Sequence, residues 1–180
     1  MRKLVISSFL VAACVLVLTG SVTRAGGGNT TITAITATLT GYQETPLTLA
    51  SPASGQFSGT VSEDGTSIDF ELSYADVPTT VAAAHIHLGA PATTGGVTVF
   101  LCGGGGREPC TSPSGTFTGT ITAENVLGLP AQDLAAGDLP KLLEAMAAGA
   151  TYANVHTMAH PGGEIRGQLQ VVQGARENNK

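Results

Sequence analysis

Apolar and polar residues alternate along most of this chain. The alternation is clearest at residues 68–74, which read I-D-F-E-L-S-Y and carry apolar side chains on one face and polar side chains on the other. A period of two predicts an antiparallel strand with one buried face. Asp64-Gly65 precedes this strand and supplies the positive φ of a tight hairpin, so the run at 56–62 is predicted to be its partner.

Eight strands are predicted on the same grounds. They cover residues 31–40, 56–62, 68–74, 81–88, 97–102, 116–123, 151–157 and 164–172. Short strands punctuated by Gly, Pro, Ser and Thr predict an all-β fold, either an antiparallel β-sandwich or a flattened Greek-key barrel of about eight strands.

One segment departs from the period of two. Asp138 suits the N-cap of a helix, and Pro140 suits its first turn. Apolar residues then recur at helical spacing until Gly149, namely Leu139, Leu142, Leu143 and Met146. We predict one short helix here, which closes one end of the β-structure.

Two segments sixty residues apart are similar. Residues 54–61 read S-G-Q-F-S-G-T-V, and residues 114–121 read S-G-T-F-T-G-T-I. Each is followed by a pair of histidines and then by a strand that begins after two glycines. One interpretation is a duplicated half-domain whose copies pack about a twofold axis, which would bring the histidine pairs together. The other is that two unrelated strands need the same residues.

All four histidines of the chain fall in these two pairs. His85 and His87 lie in A-H-I-H-L-G, and His156 and His160 lie in V-H-T-M-A-H-P-G-G. Side chains two apart on a strand project from one face about 6.5 Å apart, so His85 and His87 can converge on one ion. His160 lies beyond its strand, where the Pro161-Gly162-Gly163 turn can bring it back towards His156.

Imidazoles without a carboxylate favour Cu(II) or Zn(II) over Ca²⁺ or Mg²⁺. The pattern therefore predicts a transition-metal site made by His85, His87 and His156, with His160 as a fourth ligand. Copper is the first choice of cofactor and zinc the second. The alternative is that these histidines are polar strand residues that bond to water or to neighbouring strands and bind no metal.

The N-terminus has the features of a secretory signal. Met1-Arg2-Lys3 precedes an apolar run at residues 4–18, and Ala25 offers a small residue for cleavage. We divide the chain into a signal peptide at residues 1–25, a short linker at 26–30, one domain at 31–173 and a polar tail at 174–180.

The charge of the remaining chain limits its partners. Without residues 1–25 it keeps five Lys and Arg against thirteen Asp and Glu, a net charge of −8. Such acidity disfavours nucleic acid and anionic membranes as partners. We expect a secreted or periplasmic protein whose partner is a transition-metal ion or an extracellular protein. Retention of the first segment as an anchor, or a lipid anchor at Cys14, are the alternatives.

Two further cysteines flank a glycine-rich stretch. Cys102 and Cys110 enclose G-G-G-G-R-E-P, and in an oxidising compartment such a pair most simply forms a disulfide. The alternative is a site in which both thiolates bind a metal. No third ligand lies nearby in the sequence, which favours the disulfide.

The histidine motifs lie in segments that resemble the CHRD domain. These read A-H-I-H-L-G-A-P at 84–91, V-T-V-F-L-C at 97–102, Y-A-N-V-H-T at 152–157 and H-P-G-G-E-I-R-G-Q-L at 160–169. The family is named after chordin and also occurs as secreted single-domain bacterial proteins. The resemblance, which extends over about residues 31–172, implies an extracytoplasmic β-rich domain. It does not imply growth-factor binding, because chordin uses other, cysteine-rich modules for that.

The order of the histidines also resembles that of copper/zinc superoxide dismutases, whose first copper ligands form a strand-borne His-x-His. By this resemblance His85, His87, His156 and His160 correspond to copper ligands. No histidine remains for a separate zinc site, and the loop between the two cysteines differs from that family's disulfide loop. The resemblance therefore implies at most a copper-only enzyme.

Arg166 alternates onto the same strand face as Glu164, and two roles are open for it. It guides an anion to the metal, or it pairs with Glu164, which is the simpler expectation. Sequence motifs of other enzyme classes, such as Gly-x-Ser-x-Gly and His-Glu-x-x-His, do not occur. Three functions stay open: a metal-binding protein, which we favour, an extracellular interaction module without metal, and a copper-only dismutase-like enzyme.

Overall fold

The computed structural model describes residues 30–175. The predicted signal peptide at 1–25 and almost all of the predicted linker lie outside the described residues, as do residues 176–180 of the predicted tail. The described part of the chain contains no helix that is long and apolar enough to cross a membrane.

Within residues 30–175 the fold consists of nine strands and one α-helix, together with three short 3₁₀ turns. The strands are β1 (Thr30–Thr40), β2 (Ser54–Val61), β3 (Ile68–Ala75), β4 (Val81–Leu88), β5 (Gly96–Cys102), β6 (Gly115–Ile121), β7 (Thr151–Thr157), β8 (Ile165–Gln168) and β9 (Gln170–Ala175), and the helix is α1 (Leu139–Ala147). Each predicted strand is present. The last one is divided, because β8 pairs with β7 and the end of β1 whereas β9 pairs along β1.

The strands form one antiparallel sheet that curls into a nearly closed barrel. Their order is β5-β4-β7-β8-β1-β2-β3-β6, β9 is added on β1, and the two end strands β5 and β6 lie side by side. The predicted all-β antiparallel fold with one helix is thus confirmed, in its barrel form. Inward-facing side chains of the strands fill a continuous hydrophobic core, including Ile35, Leu39, Phe57, Ile68, Leu72, Ile86, Val99, Ile121, Val155 and Ile165.

Helix α1 begins where the sequence predicts. The side chain of Asp138 accepts a hydrogen bond from the backbone N–H of Lys141 at 3.0 Å, so Asp138 is the N-cap. The chain leaves the helix through Gly149, whose φ of 68° suits glycine. The apolar stripe of the helix is buried in the core through Leu139, Leu142 and Met146.

The repeated segments are β2 and β6, and both pair with β3 in the same register. Phe57 of β2 and Phe117 of β6 both lie opposite Leu72. The similar sequences therefore serve two similar environments on either side of one strand. A twofold axis that exchanged β4 with β7 would exchange β2 with β3 in this strand order, and not with β6. The duplicated half-domain is thus wrong, and the histidine strands meet for another reason.

The predicted disulfide between Cys102 and Cys110 is present, with the two Cα atoms 5.2 Å apart. It holds the glycine-rich loop against the barrel. A Cβ atom on Gly104 or Gly105 would lie within 3 Å of the ring of Phe100, so these glycines allow the loop to pack directly on that ring. The stretch is therefore a packed cover over β5.

Removal of this disulfide is expected to destabilise the domain. The double variant Cys102→Ser, Cys110→Ser frees a loop with a sequence separation of 8. We expect the free energy of unfolding in urea to fall by about 2 to 3 kcal/mol, since closing such a loop restricts the unfolded chain. Reduced wild-type protein is the control and should lose a similar amount. Equal urea midpoints for oxidised and reduced wild type would contradict this role.

Candidate metal centre

The candidate centre lies on the outer face of the barrel, where β4 pairs with β7. His85 is directly opposite Asn154, His87 is opposite Tyr152, and His156 follows on the same face of β7. The intervening residues of both strands face the core. β7 is buried along its whole length and β4 is buried on both faces over residues 84–87, because loops cover this side of the sheet.

The side chains of His85, His87 and His156 form a compact triangle. One ring nitrogen from each lies within 4.8 Å of those of the other two, and the ring centroids are 4.8 to 5.5 Å apart. All three residues are at most 9 % exposed. The antiparallel pairing thus brings together three of the four predicted ligands from segments 69 residues apart.

Two of these imidazoles have their tautomers set by backbone carbonyls. Nδ1 of His87 lies 3.0 Å from the carbonyl oxygen of Gly95, and Nδ1 of His156 lies 3.0 Å from that of Pro161. A carbonyl only accepts, so in each neutral ring Nδ1 carries the proton and Nε2 keeps a free lone pair. This is the arrangement in which proteins present histidine to a metal.

The two free Nε2 atoms face each other. They are 3.2 Å apart, and with both Nδ1 atoms protonated neither Nε2 has a hydrogen to donate. Two lone pairs at this distance repel unless a proton or a cation lies between them. Two nitrogens bound tetrahedrally to one ion at about 2.0 to 2.1 Å would lie about 3.3 Å apart, so the spacing fits a shared metal ion.

His85 completes the triangle with both ring nitrogens free. Within the part of the chain that the structure describes, neither nitrogen has a hydrogen-bond partner, although both are buried. The ring packs nearly at right angles to that of Phe100, with centroids 4.5 Å apart. Unpaired buried nitrogen atoms are costly, and a metal ion would satisfy one of them. The donor set therefore fits a metal that prefers nitrogen.

Burial keeps these imidazoles neutral. Burial, together with the smaller effects of the neighbouring His156 and His87, lowers the pKa of His85 to about 3. Burial also lowers the pKa of His87 to about 4, opposed by the bond to the Gly95 carbonyl. The pKa of His156 is lowered by burial as well. Neutral imidazole is the form that binds metal, so the three rings have the required protonation state at neutral pH.

Comparison with known proteins assigns the chain to a family. The sequence model of the CHRD domain matches residues 35–169, three quarters of the chain. The chain belongs to the CHRD domain family. CHRD domains are typically extracellular modules. No curated protein and no solved structure matches this chain.

His160 stands apart from the other histidines of this CHRD domain. Its side chain is 41 % exposed, and its Nε2 lies 3.7 Å from Oε2 of Glu164. The backbone carbonyl of His160 accepts hydrogen bonds from the N–H groups of Thr157 and Gly163, which closes a tight turn. Its ring is not among the nitrogen ligands that lie within 4.8 Å of one another. The structure therefore does not bring the predicted fourth ligand to the centre.

The expected ion pair between Arg166 and Glu164 is wrong. The salt bridges of residues 30–175 join Lys141 to Glu144 and His160 to Glu164. The Glu164 carboxylate instead accepts hydrogen bonds from the hydroxyl groups of Ser51 and Thr157. Glu164 lies just before β8 and Arg166 lies within it, and each side chain finds closer partners in other segments.

Arg166 is buried and its hydrogen bonds lie within the protein. Its guanidinium donates to Oγ1 of Thr45, to the carbonyls of Ala90 and Thr93 and to Oε1 of Gln168. With 2 % of its surface exposed and these acceptors in place, it has no face to offer an incoming anion. The geometry favours an anchor for the covering loops over the predicted anion guide.

Three parts of the site were not predicted from the sequence. Glu44 lies buried in the loop after β1, and burial raises its pKa to about 7, opposed by the charge of Arg166. The carbonyls of Gly95 and Pro161 are backbone groups, which every residue has, so their role cannot be predicted from the residue type. The glycine and proline turns after each histidine pair were the signal that could have suggested a carbonyl contact.

The metal-free domain is expected to lose stability in acid through these histidines. Histidine in the unfolded chain has a pKa near 6.5. Below that pH the unfolded chain therefore binds protons that the folded histidines do not bind, because their pKa values are lower. The contribution is complete above about pH 6.5 and is lost as the pH falls towards 4, by up to about 1.4 kcal/mol per pH unit for each histidine.

Urea unfolding with a chelator present, between pH 7 and 4.5, measures this effect as the difference between wild type and His85→Gln. The difference is needed because Glu44, whose pKa is raised, stabilises the folded state as the pH falls and so acts in the opposite direction. The variant should show the shallower dependence on pH. Parallel profiles would show that His85 is not held neutral by burial.

Proposed function

We propose that this CHRD domain binds one transition-metal ion, copper in preference to zinc, through His85, His87 and His156. The observation that carries the proposal is the pair of Nε2 atoms 3.2 Å apart with facing lone pairs. The unpaired nitrogens of His85 beside them add a third donor.

The chemistry of the donors supports copper. The cluster offers three imidazole nitrogens and no thiolate or carboxylate, a set that suits Cu and Zn and excludes the oxygen-seeking Ca²⁺ and Mg²⁺. Among divalent first-row metals, nitrogen sites bind Cu²⁺ most tightly. When bound, copper supplies a one-electron redox centre, but metal storage or transfer needs only its affinity.

The surroundings of the three rings also support a preorganised metal site. The Gly95 and Pro161 carbonyls orient two imidazoles, and Phe100 packs against the third. Such partners raise metal affinity because the ligands lose little freedom on binding. Three protein ligands leave one coordination position for water or a small ligand.

Metal content of purified protein tests the proposal. Protein stripped with a chelator and reloaded with Cu(II) or Zn(II) should hold about one ion per chain after gel filtration. His85→Gln, His87→Gln and His156→Gln should each hold far less, since each removes one of three ligands. Competition with a chromogenic chelator then ranks copper against zinc.

The fourth histidine provides the matched control. His160→Gln is the same substitution on a ring outside the triangle, and it should keep wild-type metal content. Equal and negligible metal in wild type and in all variants would overturn the proposal and favour an extracellular interaction module. Metal lost equally from all four variants would show that binding needs the exposed His160 as well, which would contradict a site made by the three rings of the triangle alone.

A further inference from the structure

We propose that Tyr152 is the positioning residue of the metal centre and that it holds His87 with Nε2 directed at the ion. The inference rests on the proposed function for its metal readout. Tyr152 lies opposite His87 across the β4–β7 pair and acts on that imidazole in two ways, through its ring and through its hydroxyl.

The ring of Tyr152 supports the imidazole face to face. The two ring centroids are 4.8 Å apart and the ring planes differ by 5°. The guanidinium of Arg166 covers the other face of the phenol ring, 3.6 Å from its centroid. A buried column of guanidinium, phenol and imidazole results, and it restricts the imidazole to one plane.

The hydroxyl of Tyr152 fixes the carbonyl that orients His87. It accepts a hydrogen bond from the N–H of Gly95 at 3.2 Å, and the carbonyl of the same residue lies 3.0 Å from Nδ1 of His87. Tyr152 therefore controls both the plane of the imidazole and the acceptor that selects its tautomer.

The turn after β4 is shaped to allow this contact. A Cβ atom on Gly95 would lie 1.7 Å from the carbonyl oxygen of Leu88, so this position needs glycine. A Cβ on Gly89 would lie 2.9 Å from the Tyr152 ring. Gly89 and Gly95, at the two ends of this turn, thus let it approach the phenol closely.

Loss of the hydroxyl should release the Gly95 peptide and let His87 exchange tautomers. In Tyr152→Phe the ring stack is kept and only the hydroxyl contact is lost, whereas Tyr152→Leu removes both. Changes in the hydrogen bonding of a metal-ligating histidine typically lower affinity by about 10- to 100-fold. We expect about a 10-fold loss of copper affinity in Tyr152→Phe and a larger loss in Tyr152→Leu.

The experiment measures two quantities in each variant. Ring ¹⁵N chemical shifts of His87 in the metal-free protein report its tautomer, and competition with a chelator reports copper affinity. Tyr74→Phe is the matched control, because Tyr74 is also buried and its hydroxyl donates to a loop carbonyl, that of Thr111, at 2.7 Å. Tyr74→Phe should leave both quantities unchanged.

The outcomes separate the two proposals. A mixture of His87 tautomers in Tyr152→Phe, with a single tautomer in wild type and Tyr74→Phe, supports the positioning role. This holds even if wild type binds no copper, in which case only the proposed function fails. A wild-type tautomer in Tyr152→Phe, or a tautomer change of equal size in Tyr74→Phe, overturns the positioning role.

Discussion

The antiparallel pairing of β4 with β7 is the constraint on which this structure depends. It places His85 opposite Asn154 and His87 opposite Tyr152, so that three imidazoles from distant segments share one face. A slip of one residue would turn these imidazoles into the core and expose the apolar residues between them. The strand register that buries the apolar side chains in the barrel therefore also places the three imidazoles together.

Because β4 and β7 are buried on both faces at the site, their histidines are shielded from water. The covering loops remove water from the outer face, and desolvation lowers the pKa of each imidazole in the triangle. Arg166 anchors two of those loops, while the Gly95 and Pro161 carbonyls set the tautomers of two rings. The loops thus orient the ligands as well as cover them.

The alternation of residues was sufficient to predict the strands, because an apolar face must be buried and a period of two identifies it. It also placed His85 and His87 on one face. The glycine-rich stretch between Cys102 and Cys110 allowed their disulfide to be predicted. Strand order depends on pairing between distant segments, so the repeat alone could not decide between a duplicated half-domain and two similar strands. The place of His160 and the partner of Arg166 depend on turns and covering loops, whose contacts no local pattern encodes.

Anomalous X-ray scattering from crystals of copper-loaded protein, recorded on both sides of the copper absorption edge, would locate the ion. We expect one strong peak about 2.0 to 2.1 Å from Nε2 of His87, from Nε2 of His156 and from one ring nitrogen of His85. A peak beside the exposed ring of His160, with none inside the triangle, would contradict this expectation.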